Sequence, residues 1–316
     1  TTCPFLCATT WTLTLKISIA DDQRHTPDSS SPEWSESWVF YAIDPTQGFC
    51  CITRLGLAPN KQSCSVLVAI SQRGKPLYHR HQEHLSLPAG DLHEGISAGG
   101  LSLRAIDLET RHYRIEFADA AAQLTLAFDW RGTHESADSI GLHVPAGVAG
   151  LSNMHIEQMG RIAGRFDYRA QHIELAGMGP RDHSVGTRNW ESMLWYDLAW
   201  VLLDDGRALG LIQAQQTGRL VQIPWLWDGT QLLPLSGMRF NKELDAEDRP
   251  QQVRVTFCDP LGRCYRLSGT RRTSLPCFLD SYVVHSGYFD FELVDDQGVM
   301  TGVGAEEYGY RLGEVH

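Results

Sequence analysis

The densest group of reactive side chains is Gly177-Met-Gly-Pro-Arg-Asp-His-Ser-Val-Gly-Thr-Arg-Asn-Trp190. Its glycines and proline imply a tightly specified backbone, and Arg181-Asp182-His183 is too polar for an interior strand. His183 titrates near neutrality and can pass a proton. Asp182 could orient it, or be the acid itself where burial raises its carboxyl. Arg181 and Arg188 can anchor carboxylates, on a ligand or on the protein. The same residues would serve equally as a buried ion-pair network locking two halves together. Trp190, Trp195 and Trp200, with Tyr196, offer flat apolar walls to a ligand, or to a core.

Three further clusters follow. In His155-Ile-Glu157-Gln-Met-Gly-Arg161, strand alternation would set His155, Glu157 and Met159 on one side. Glu157 could then reach Arg181 or Arg188, as a structural salt bridge or as a third catalytic group. Near the end, Glu307 and Tyr308 pair an acid with an aromatic inside a glycine frame, as a ligand wall or simply as a closing strand. His79, His81 and His84, with His93 beyond, hint at a metal site. His84 would fall on the opposite face of a strand from the other two, so they read as solvated histidines and no metal is expected.

The elements that must position these groups are strands. Trp38–Ile43, Ser65–Ile70, Tyr113–Phe117, Val253–Phe257 and Phe289–Val294 alternate with β-branched or aromatic residues. Asp205-Gly206, Asp228-Gly229 and Gln297-Gly298 supply turns. Leu244–Gln252 carries charge without an apolar stripe and reads as a loop. Strands this closely spaced predict an all-β chain of barrels or sandwiches. At 316 residues two domains are expected, and the Gly-, Ala-, Ser- and His-rich stretch 134–159 is the junction, giving units 1–158 and 159–316. An internal echo supports duplication. Trp38 and Phe40-Tyr41 lead to Asp44 and Gly48-Phe49, as Trp195-Tyr196 and Trp200 lead to Asp204-Asp-Gly206 and Leu209-Gly-Leu211.

A net charge of −11 with scattered Lys and Arg argues against nucleic acid and anionic membranes. No apolar run is long enough to cross a bilayer as a helix; Cys3–Ala20 is broken by Thr, Lys and Ser. The eight cysteines read as buried free thiols, which points to a reducing, cytoplasmic compartment, although Cys258 and Cys264 could meet across a hairpin. The chain begins with Thr1 rather than Met, which suggests a trimmed start.

The run Gly177–Trp190 resembles the signature of a bacterial two-domain lipocalin-like family. That family includes carotenoid 1,2-hydratases (hydroxyneurosporene synthases) and uncharacterised relatives, and its more distant members resemble fungal Diels–Alder cyclases. Pro32–Trp38 with Asp44-Pro45, Gly160–Gly164 and Glu306–Gly309 agree with it, so the likeness spans Trp34 to Gly309. Two features depart: Val185 stands where Trp is common, and Tyr78–Glu94 matches nothing in the pattern. The resemblance implies two consecutive lipocalin-like β-barrel or sandwich domains around a cavity. It also implies hydration, cyclisation or isomerisation of a small hydrophobic, often isoprenoid molecule, with no organic cofactor. On that reading Asp182 donates a proton, His183 relays it or activates water, and Arg181, Arg188, Trp190, Trp195, Tyr196 and Tyr308 hold the substrate. Close arginines would lower the Asp182 pKa and oppose donation unless they pair with Glu157 or Glu307. The rival reading is a non-catalytic carrier or sensor; a third is a cyclase working by cavity shape alone.

Overall fold

The computed structural model describes residues 17–143, 153–188, 192–279 and 282–312. It is all-β, built from two barrel-like sheets of eleven strands each. The first sheet contains β1 (Trp34–Asp44), β2 (Phe49–Ala58), β3 (Ser63–Gln72), β4 (Lys75–Ser86), β5 (Ile96–Ala98), β6 (Leu101–Asp107), β7 (His112–Asp119), β8 (Leu124–Gly132), β9 (Ala137–Asp138), β10 (Met154–Tyr168) and β11 (Gln171–Thr187). A short helix, α1 (Ser139–His143), follows β9. The second sheet contains β12 (Met193–Leu203), β13 (Ala208–Gln216), β14 (Arg219–Gln222), β15 (Trp225–Trp227), β16 (Leu232–Pro234), β17 (Ser236–Leu244), β18 (Pro250–Cys258), β19 (Cys264–Arg271), β20 (Leu275–Leu279), β21 (Tyr282–Asp295) and β22 (Gly298–Arg311).

The two sheets share a plan. In each, the opening strand pairs antiparallel with the closing one: β1 with β11, and β12 with β22. Each opening strand also forms a hairpin with its successor, which places the two halves of the sequence echo at corresponding positions. The stretch 134–159 leads into β10, which pairs with β8 and β11 inside the first sheet. The chain passes to the second sheet between Thr187 and Met193. The loop read over Leu244–Gln252 is the turn between β17 and β18.

Burial separates two kinds of strand. β6 is half-buried: Leu101, Leu103 and Ala105 point into the first sheet's core while Arg104 and Ile106 face out. β1 is buried on both faces. Trp38, Phe40 and Ala42 enter that core, and Tyr41 and Ile43 enter a second cluster shared with Trp200, Leu202 and Trp225 of the other sheet. Strands packed on both faces lose the period-two pattern, which is why β1, β2, β12 and β13 read as near-continuous apolar runs. A third cluster, including Val201, Leu211 and Phe291, fills the second sheet.

Cys50, Cys51, Cys64 and Cys277 are buried free thiols, as expected. Cys258 and Cys264 correct that reading, because they are joined by a disulfide across the β18–β19 hairpin. Cys3 and Cys7 lie outside the described residues. The uniform free-thiol pattern behind the expected cytoplasmic location is therefore gone. No helix among the described residues is long and apolar enough to cross a membrane.

Candidate active site

A cavity of about 140 Å³ lies between the two sheets. Val39, Ile52 and Leu67 give it an apolar floor from the first sheet, and Leu198, Ile212 and Val284 a roof from the second. Its polar side carries Arg54, His155, Asp182 and Arg188 on one wall and Tyr196 and Glu307 on the other.

The Arg-Asp-His run is not too polar for an interior strand. It lies within β11, paired to β1 and β10, because Arg181 and His183 are buried against Asp22 and Glu36. Alternation along the strand decides which members reach this space. Asp182 and Ser184 line the cavity. Asp182 accepts hydrogen bonds from His155 Nε2 at 2.6 Å and Ser184 Oγ at 2.7 Å. Burial alone would raise its pKa, but the charge and hydrogen bond of His155, with help from Arg188, hold it at about 2. Burial would likewise lower the His155 pKa; Asp182 and Glu157 outweigh it and lift it to about 9. At neutral pH the pair is an imidazolium and a carboxylate. Beside it stand two guanidiniums. Arg54 has its pKa lowered by burial and donates to Ser65 at 3.0 Å. Arg188, lowered to about 10 by burial, donates to Ser37 at 3.3 Å.

The opposite wall behaves differently. Burial lifts the Glu307 carboxyl to about 7, with the nearby Asp182 charge adding to the rise. The Tyr41 hydroxyl donates to Glu307 and meets Ser286 Oγ at 2.7 Å, while the Tyr196 hydroxyl lies 3.5 Å from the carboxyl's other oxygen. Glycines make room for both tyrosines. A Cβ on Gly309 would sit 2.2 Å from the Tyr196 ring, and one on Gly179 would sit 2.1 Å from the Tyr41 carbonyl oxygen. Glu307 is thus a carboxyl that can change protonation at neutral pH inside a largely apolar space, the property required of a general acid or base.

Glu157 is fully buried and its pKa is raised by burial to about 7. It joins the sheets by accepting from the indole N–H groups of Trp200 and Trp225, the latter at 2.7 Å, and it is paired with neither Arg181 nor Arg188. His183 and Arg181 point the other way along β11. They are buried in the first sheet, where Arg181 holds Asp22 through both oxygens at 2.7 and 2.9 Å and His183 contacts Glu36 at 2.8 Å. A relay from Asp182 to His183 therefore has no path, because a strand's side chains alternate. Trp195 and Tyr308 occupy the far face of the second sheet, where Lys242 lies 5.3 Å from the first ring and 3.5 Å from the second. Trp190 lies outside the described residues. His79, His81 and His84 on β4 do not gather into a three-ligand set.

The structure thus brings together Asp182, Arg188 and Tyr196 with His155 and Glu307 of two further clusters, and adds Tyr41 and Arg54. A signal for Arg54 exists in the sequence, as the lone charge in the otherwise apolar run Phe49–Ala58. Tyr41 carries none, since an aromatic in a buried strand looks like core.

Two barrel-like sheets enclosing a cavity between them define a two-unit, lipocalin-like β protein. The chain belongs to the DUF7064 family, described as a domain of unknown function, whose model matches residues 18–309. No curated protein matches it. Among solved structures it is similar to CghA, at 11% identity over 93% of this chain and 94% of that one, with a TM-score of 0.65. It is also similar to an AttH-like protein from Nitrosomonas europaea, at 15% identity over 90% and 96%, with a TM-score of 0.59. Kievitone hydratase from Nectria haematococca is a third, at 9% identity over 90% of each chain, with a TM-score of 0.60. At such identities the likeness establishes the shared fold alone.

Proposed function

We propose that this protein is an acid–base lyase or isomerase, of hydratase, dehydratase or cyclase type, acting on a small unsaturated hydrophobic molecule. The observation that carries the reading is Glu307: a carboxyl at about 7, held by tyrosines, facing a largely apolar cavity. Asp182 is replaced as proton donor, because a carboxyl held near 2 is ionised at neutral pH. The name of kievitone hydratase, a protein of the same fold, favours hydration chemistry; the resemblance to carotenoid hydratases favours an isoprenoid substrate.

The charges sharpen the reaction. Arg54, Arg188 and the His155 imidazolium make the polar side positive, which opposes a free carbocation and favours negative charge on a substrate oxygen. A double bond conjugated to a carbonyl or carboxylate fits this field. In the dehydration direction the Glu307 carboxylate takes the proton next to the carbonyl, and the electron pair moves toward the oxygen facing the arginines. The neighbouring C–O bond then breaks, and the leaving hydroxyl takes the same proton from Glu307 as water departs. Hydration is the reverse. Returning the proton to a different carbon gives isomerisation.

Native mass spectrometry of the purified protein should identify a carried ligand, and incubation of that ligand class with enzyme should yield product. Glu307→Gln should bind the ligand and form product far more slowly. Ligand returned unchanged by the wild type would make the protein a carrier, and full turnover by Glu307→Gln would remove the acid–base assignment.

A further inference from the structure

Away from the cavity, the first sheet holds a cluster for which the proposed chemistry has no use. The segment before β1 crosses the sheet's enclosed face, bringing His25 to Glu36 of β1 and His183 of β11. His25 Nδ1 and His183 Nε2 both lie 2.8 Å from the same oxygen, Oε1 of Glu36. These ligand-type atoms, from three separate stretches of chain, all fall within 4.8 Å of one another.

We infer that His25, Glu36 and His183 form a binding site for one divalent transition metal, of which zinc is the best match. Two imidazoles and one carboxylate are the donor set of three-ligand zinc sites that keep a fourth position for water. Bonds of about 2.0–2.2 Å at tetrahedral angles set neighbouring donors roughly 3.3 Å apart. To admit an ion the two nitrogen–oxygen contacts would open by about half an ångström, and the two imidazole nitrogens, which lie within 4.8 Å of each other, would take up the same spacing.

The surroundings are those of a metal site and not only of a hydrogen-bonded knot. His183 turns its other ring nitrogen, Nδ1, toward the Asp22 carboxylate, 3.5 Å from Oδ1. A carboxylate behind a ligating histidine fixes which nitrogen faces the ion. Asp22 is itself fixed by Arg181 at 2.7 and 2.9 Å and by the Tyr113 hydroxyl at 2.5 Å. The Trp38 ring stacks on His183 at 4.8 Å and 22°, setting the imidazole plane. The His25 backbone N–H is shared between the two Glu36 oxygens, 3.1 Å from Oε2 and 3.2 Å from Oε1, which fixes the carboxylate. Glu36 and His183 are fully buried, whereas the His25 side chain is 26% exposed, so the entry path and the water position lie on the His25 side. A bound ion would fasten the segment before β1 to both the opening and the closing strand of the sheet.

The test uses the full chain, stripped with a chelator and titrated with Zn²⁺ and, separately, with Co²⁺ as a spectroscopic probe. The expected result is one ion per chain, a tetrahedral Co²⁺ absorption spectrum, and slower hydrogen exchange around residues 22–36 when loaded. Glu36→Gln should weaken binding at least tenfold. His25→Ala should do the same, and because His25 is the partly exposed ligand this variant keeps the test informative should Glu36→Gln fail to fold. Absence of stoichiometric binding overturns the site. So does affinity unchanged in His25→Ala, or binding lost instead in His79→Ala/His81→Ala.

Discussion

Asp182 and Glu307 face one cavity from the closing strands of two similarly built sheets, yet they are held at opposite ends of the carboxyl range. Asp182 sits against an imidazolium and near Arg188 and stays near 2. Glu307 is held by neutral tyrosine hydroxyls, with Asp182 as a nearby like charge, and rises to about 7. Burial pushes both upward; what separates them is whether a cation touches the carboxylate. Correspondingly placed strands therefore supply two carboxyls, and on the proposed reading their neighbours leave one as fixed charge and the other free to exchange a proton. Such a split resembles that of paired carboxylates in acid–base enzymes.

The largest effect that can break this comparison is on turnover. Glu307→Gln should lower kcat by roughly 10²–10⁴-fold, the usual worth of a general acid or base, with ligand binding retained. Asp182→Asn should cost much less, and steady-state kinetics of the two variants side by side would reveal an inverted order.

Stability should move the other way. The folded pKa of Glu307, about 7, lies above its ordinary value of 4.5. The folded state therefore binds this proton more tightly than the unfolded chain does. That contribution is fully present below about 4.5 and is lost as pH rises through about 7. Glu307→Gln removes the burden of a buried charge, so the variant should gain on the order of 3 kcal/mol over wild type at alkaline pH. Below about pH 4.5 the two should be nearly equal, as urea unfolding at both pH values would show.

A smaller loss is expected where the sheets are tied together. Trp225→Phe deletes one of the two indole donors to buried Glu157 and should cost about 1–3 kcal/mol by leaving a buried acceptor short of a partner. Chemical denaturation would measure it, and a neutral result would mean that the Trp200 indole alone satisfies Glu157.

The finest test is in the pH profile. The Tyr41 hydrogen bond lowers the Glu307 pKa and the Asp182 charge raises it. Tyr41→Phe should shift the limb of the kcat/KM profile near neutrality to higher pH, and Asp182→Asn should shift it to lower pH. Shifts of the same sign would show that the limb belongs to another group.

Much of the architecture was legible in the sequence. Period-two runs with Asp-Gly turns gave the all-β class, and the aromatic echo anticipated the matched hairpins β1–β2 and β12–β13. The site was legible only in part, because a strand sends neighbours to opposite faces. Arg181, Asp182 and His183 look like one constellation when written in a line, but only Asp182 enters the cavity. The same rule excludes Tyr308 and admits Glu307. Composition alone picks out 134–159 as a junction, whereas membership of a sheet is set by long-range pairing, here β10 with β8 and β11. His25 and Glu36 meet His183 across about 150 residues of chain, a convergence no local spacing announces.

The most direct measurement is a pH titration of carboxyl ¹³C resonances in protein labelled at Asp and Glu side chains, for wild type and Glu307→Gln. The prediction is a glutamate resonance with a midpoint near 7 that disappears in the variant, while the Asp182 signal, identified through Asp182→Asn, stays ionised across the neutral range. A Glu307 signal titrating in the ordinary carboxylate range, or an Asp182 signal titrating near neutrality, would contradict the assignment of proton exchange to the second sheet.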